Sequence, residues 1–118
     1  MMSLKRLPPS MRKKQRYIVC KIESEKIFDI GDIVGCLWKN MLEFLGEKGV
    51  SEADPWIMKD LFYRDKKIFG IKTGKNNVED IRTCLALITN IKDEKVCIHV
   101  KGVSGTLKAA RKKFVDQN

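Results

Sequence analysis

The chain has 118 residues, 43% of them apolar, with 24 Lys plus Arg against 15 Asp plus Glu. That is enough for one domain with its own core; it excludes two substantial domains, and the ordinary apolar fraction excludes disorder over most of the length. The excess charge sits at the ends: residues 1–16 and 101–118 together carry +10, and the 84 residues between them carry −1, which points to a polyanionic partner rather than to general solubility.

In chain order, residues 1–16 form a basic arm with no acid: Lys5, Arg6, Arg12, Lys13, Lys14 and Arg16. Pro8 and Pro9 keep it extended, and with the bases around them they stand where a signal peptide would carry its apolar stretch. The chain is therefore expected to stay in the cytoplasm. Residues 17–118 are expected to form a single domain. Ile18, Cys20 and Ile22 alternate with Tyr17, Val19 and Lys21, a first strand. From Ile30 the apolar residues Ile33, Val34, Leu37, Trp38, Met41 and Leu45 recur at threes and fours, the mark of an amphipathic helix. Asp29 or Asp32 can cap its start, and Gly46 or Gly49 can end it. The longest apolar run in this stretch breaks at Gly35 and stops at Lys39, well short of the roughly 20 residues a membrane span requires.

A loop at residues 51–55 leads to a strand at 56–63, a polar turn at 64–67 and a return strand at 68–73. Val78, Ile81, Leu85 and Ile88 then line one face of a second helix, with Asn76 or Asn77 as its cap. Val96, Ile98 and Val100 alternate with Cys97, His99 and Lys101 in a fourth strand, and a last helix follows the turn at 102–106. Strand, helix, strand, strand, helix, strand makes a ferredoxin-like α+β sandwich: an antiparallel sheet with helices on one face, the arrangement of RNA-recognition modules, with a helix added at the C-terminus. The other sheet face is left for a partner.

Candidate chemistry is sparse. His99 is the single histidine, in mid-strand, with no nucleophile or orienting carboxylate nearby in sequence; a half-buried sheet residue is the plainer reading. Glu79 and Asp80 point about 100° apart on a helix and do not converge on one metal ion; a first-turn carboxylate answering the helix dipole suits them better. Cys20, Cys36, Cys84 and Cys97 lack zinc-site spacing and read as small hydrophobes in a reducing compartment.

The KGVSGTLK segment, residues 101–108, is a better site. Ser104 or Thr106 can cap the last helix, and Gly105 lets a phosphate approach the free amides. Leu107, Ala110 and Phe114 share one face of that helix, and Lys108, Arg111 and Lys112 form a basic stripe beside it. The candidate RNA contacts are thus the six bases of the arm, Tyr17, Lys101, Ser104, Gly105, Thr106, Lys108, Arg111 and Lys112. KIFGIK, residues 67–72, lacks the glycine-aromatic signature of a standard RNA-recognition motif, so these contacts are expected to hold phosphates rather than read bases.

The segments LPPSMRKKQRYI (residues 7–18), PW (55–56), VEDIRTCLALI (78–88) and VCIHVKGVSGTLKAARKKF (96–114) resemble the archaeal ribonuclease P protein component 2 family, in the same order over nearly the whole chain. The resemblance implies a subunit of the RNA-containing endonuclease that removes the 5′ leader from precursor tRNA. It implies that the RNA, with bound magnesium, performs the hydrolysis while the protein stabilises the RNA's catalytic domain and binds no cofactor. It also implies pairing with ribonuclease P protein component 3, as a heterodimer that can double into a heterotetramer, among the other ribonuclease P proteins. Gly70 and Lys72 depart from the family pattern, which prefers an apolar residue and an arginine there. The competing expectations are a free-standing RNA-binding or ribosome-associated protein and a small nuclease.

Overall fold

The computed structural model describes residues 14–116; Lys5, Arg6, Arg12 and Lys13 lie outside the described residues. The first strand, β1 (Gln15–Glu23), begins two residues before the apolar alternation does. Gln15 pairs with Gly74 and Arg16 with Thr73, so Arg16 is a sheet residue.

Helix α1 (Ile30–Ala53) starts at Asp29, whose amide donates to the Asp32 carboxylate at 3.3 Å. A hydrogen bond from Lys92 holds the Asp32 carboxyl below its ordinary pKa, and the same contact raises that of Lys92. Gly46 (φ 74°) does interrupt the helix, but it does not end it. Helical structure resumes through residues 51–53, expected as loop, and closes at Asp54 in the left-handed region (φ 45°). The continuation is held by burial of Val50 and Ala53 and by the Thr73 hydroxyl, which donates to the Ala53 carbonyl at 2.8 Å.

Strands β2 (Trp56–Tyr63) and β3 (Ile68–Gly74) form the expected hairpin. One 3-10 turn (Lys75–Asn77) precedes α2 (Val78–Ala86), where Asn77 occupies the cap position without a side-chain hydrogen bond. A small hairpin of β4 (Asn90–Ile91) and β5 (Glu94–Lys95) follows, which alternation does not predict. Its turn residues Lys92 and Asp93 both have positive φ, the geometry usually signalled by Asn-Gly. The Lys92–Asp32 ion pair (2.8 Å) and the buried side chains of Ile91 and Val96 tie it to the domain. Strand β6 (Cys97–Ser104) runs three residues further than expected, and α3 (Leu107–Phe114) completes the chain.

The sheet order is β2-β3-β1-β6, antiparallel at every pairing. Helices α1 and α2 cover one face, burying Ile18, Cys20, Phe69 and Ile71 against Ile33, Leu37, Ile81 and Leu85. The other face, expected to be open, is covered by α3: Val19, Leu61 and Ile68 bury against Ala110 and Val115. Two glycines make room there. A Cβ on Gly70 would stand 2.4 Å from Leu61, and one on Gly102 would stand 2.2 Å from the Phe114 ring. Gly70 and Gly102 lie on either side of Val19, through the β1–β3 and β1–β6 pairings. Leu61 fills the place that a side chain at residue 70 would take.

Candidate nucleic-acid interface

At the end of the sheet where β1 begins, three segments distant in sequence come together. Tyr17 pairs with Ser104, which brings the start of β1 beside the end of β6 and the first turn of α3. Arg16 reaches across: its Nη1 lies 3.9 Å from where a Cβ on Gly105 would be. Lys14 joins the same end through its carbonyl, which accepts from the Lys75 amide at 2.8 Å.

Ser104 and Thr106 divide the capping work. The Thr106 hydroxyl accepts from the Ala109 amide at 3.1 Å, so Thr106 is the cap, and the buried Ser104 hydroxyl accepts from the Thr106 amide at 3.5 Å. The amides of Leu107 and Lys108, first in the helix, have no intrahelical acceptor. They face the end from which Gly105, exposed and without a side chain, holds nothing back. Amides carrying partial positive charge beside the Arg16 guanidinium suit a phosphate oxygen.

The remaining expected contacts disperse. Lys108 and Lys112 are exposed on α3. Arg111 is half-buried and leaves the stripe: its Nη2 donates to the Asp60 carbonyl at 3.2 Å, and its Nε is buried without a partner. Lys101 is exposed in the middle of β6, away from the Arg16 end. It is the extra residue of a β-bulge, since Val19 pairs with Gly102 and Cys20 with Val100.

Sequence reasoning leaves one companion of the Arg16 end, Trp56, open between core and interface. Trp56, Lys72 and Tyr17 lie in one cross-strand row, and Trp56 is 57% exposed with its indole N–H held by Asp54 at 3.0 Å. The Pro55-Trp56 pair was visible in the sequence, but the row depends on strand register, which was not.

His99, expected half-buried, is exposed, and its Nε2 meets the Glu23 carboxylate. No hydroxyl or thiol is hydrogen-bonded to it among the described residues, so it has an orienting carboxylate and no nucleophile to activate. Burial pushes the Cys20 thiol far above its ordinary pKa and raises those of Cys36 and Cys84, which disfavours the reactive thiolate in all three, whereas Cys97, read as a small hydrophobe, is exposed. Among the described residues no group of three or more His, Cys, Asp or Glu could hold a metal ion, and no helix is long and apolar enough to cross a membrane.

Fold and site together define a small ferredoxin-like α+β protein that presents cations and the first turn of a helix at one end of its sheet. The chain belongs to the Rpp14/Pop5 family, whose family model matches residues 16–115. It is similar to proteins named ribonuclease P protein component 2. The one from Pyrococcus furiosus is 39% identical over 96% of this chain and 92% of the relative, and the one from Methanocaldococcus jannaschii is 37% identical over 95% and 81%. A chain in the cryo-EM structure of yeast ribonuclease MRP shares the fold, with a TM-score of 0.63 at 10% identity over 81% of this chain and 77% of that one.

Proposed function

We propose that this chain, a ribonuclease P protein subunit by its family and the names of its relatives, braces the RNA of that enzyme through the end of the sheet where Arg16 meets Gly105 and α3 begins. The carrying observation is that meeting: the Arg16 guanidinium lies against the exposed Gly105, one residue before the cap of α3. The enzyme matures the 5′ end of precursor tRNA. The RNA and its magnesium break the bond; this chain supplies phosphate contacts and no reacting group. Fixed cations lower the repulsion between folded RNA strands, so the particle needs less magnesium to reach its active shape. Other protein subunits share the RNA, with ribonuclease P protein component 3 as the direct partner in a pair that doubles into a heterotetramer. The cytoplasm is the compartment of this work.

Reconstitution tests the reading. The purified chain alone should leave precursor tRNA intact, and together with component 3 it should let the cognate RNA process that substrate at lower magnesium. Cleavage without RNA, or an unchanged magnesium requirement, would overturn it. The interface has its own measurement. Each neutralised phosphate contributes about 0.7 to 0.9 to the slope of log affinity against log salt, so an Arg16→Ala/Lys108→Ala variant should flatten that slope by about 1.4 to 1.8. An unchanged slope removes this end of the sheet from the interface.

A further inference from the structure

A second set of cations gathers at the opposite end of the sheet, drawn mostly from the part of the chain whose charges nearly cancel. An open groove of about 480 Å³ is lined by Lys21 of β1, by Lys66 and Lys67 of the β2–β3 turn, and by Lys101 at the β6 bulge, with Val115 just beyond α3 at one side. Alternation alone would not gather them. The bulge gives Lys101 no partner on β1, and the turn places Lys67 in the left-handed region (φ 58°), where a side chain is disfavoured.

Two of the four ammonium groups are already held. Lys66 Nζ donates to the Val115 carbonyl at 3.5 Å, and Lys67 Nζ donates to the Ser24 carbonyl. An ammonium has three donors, so each keeps two for a ligand, and part of the cost of ordering these long side chains is met by the fold. The groove also contains Glu23 and Asp65. Glu23 is engaged by His99, and none of the four lysines is ion-paired among the described residues. Lys66 also stands over the Tyr63 ring at 5.7 Å, and no carboxylate among the described residues neutralises any of the four.

We propose that this groove seats a stretch of RNA phosphodiester backbone, so that α3 lies as a rail between two phosphate-holding ends of the sheet. The inference rests on the RNA-bracing function above. All four cations are lysines, which act as point charges on phosphate rather than as the planar forks that pair with carboxylates. Continuity supplies the second argument. Helix α3 runs from the Gly105 end to Val115 at the groove, about 12 Å by helical rise, with Lys108 and Lys112 exposed one turn apart between them.

The test is the salt dependence of binding between the full chain and the ribonuclease P RNA. A Lys21→Ala/Lys101→Ala variant should flatten the slope by about 1.4 to 1.8 and keep the melting temperature, and Lys21→Arg/Lys101→Arg should restore the slope. Lys39→Ala/Lys48→Ala, which removes the same charge from α1, should leave the slope intact. Equal flattening by that control would make the effect one of net charge and overturn the proposal. If the groove pair changes nothing while Arg16→Ala/Lys108→Ala flattens the slope, the groove is not an RNA site and the function stands; if neither pair does, both fall. Amide NMR shifts at Lys21 and Lys101 separate the ligands: saturation by RNA but not by inorganic phosphate supports the proposal. Saturation by phosphate alone, or by polyglutamate more tightly than by RNA, assigns the groove to a free anion or an acidic protein segment and overturns it.

Discussion

Phe69→Ala is expected to destabilise the fold by about 3 to 5 kcal/mol, read as a lower urea midpoint at unchanged m-value. Phe69 is fully buried in β3, opposite Cys20 of β1, within the layer that α1 and α2 cover. Removing the ring takes apolar surface out of the core, and strands on both sides keep the walls from collapsing into the space. Against a total of about 5 to 15 kcal/mol for a domain, that loss leaves little reserve at physiological temperature. Leu37→Ala, from the helix side of the same layer, should lose about 2 to 5 kcal/mol. A loss below 1 kcal/mol at Phe69 would mean that the helices do not pack on this face as described.

What the sequence made legible follows from how far each signal reaches. The hairpin of β2 and β3 and the starts of α1 and α3 rest on neighbours a few residues apart, and alternation, a capping residue and a polar turn announce them. The extension of α1 past Gly46 does not rest on neighbours: its last carbonyl is taken by Thr73, 20 residues on. The β4–β5 hairpin is similar, since Lys-Asp is a poor turn pair and tertiary contacts through Lys92 and Ile91 hold it.

The candidate site divides in the same way. Charge segregation pointed to Arg16 and to Lys108, and turn chemistry pointed to Gly105 and Thr106. That Arg16 and Gly105 are neighbours depends on the Tyr17–Ser104 pairing. The lysine groove was invisible because its members Lys21, Lys66 and Lys67 lie in a segment whose charges sum to −1. Arg111 was misleading for the opposite reason: a helical wheel put it with Lys108 and Lys112, and the carbonyl of Asp60 drew it inward.

Gly102→Val joins stability to function, because the Phe114 ring of α3 seats where β6 has no side chain. A Cβ at residue 102 would stand 2.2 Å from two atoms of the Phe114 ring, and valine adds two methyl groups to that overlap. The ring cannot move deeper, since Val19 of β1 and Ala110 on the sheet-facing side of α3 are already fully buried. The helix must lift, and overpacking of this kind costs about 1 to 3 kcal/mol. Lifting α3 carries Thr106 and Lys108 away from Arg16, so the variant should bind the ribonuclease P RNA more weakly and with a flatter salt slope than stability alone accounts for. Phe114→Ala in the same chain removes the ring and should restore the docking and the slope in part, although alone it opens a cavity and destabilises. If Gly102→Val folds and binds as the natural chain does, α3 does not depend on this contact. If Phe114→Ala brings no recovery, the overlap at the ring is not what displaces the helix.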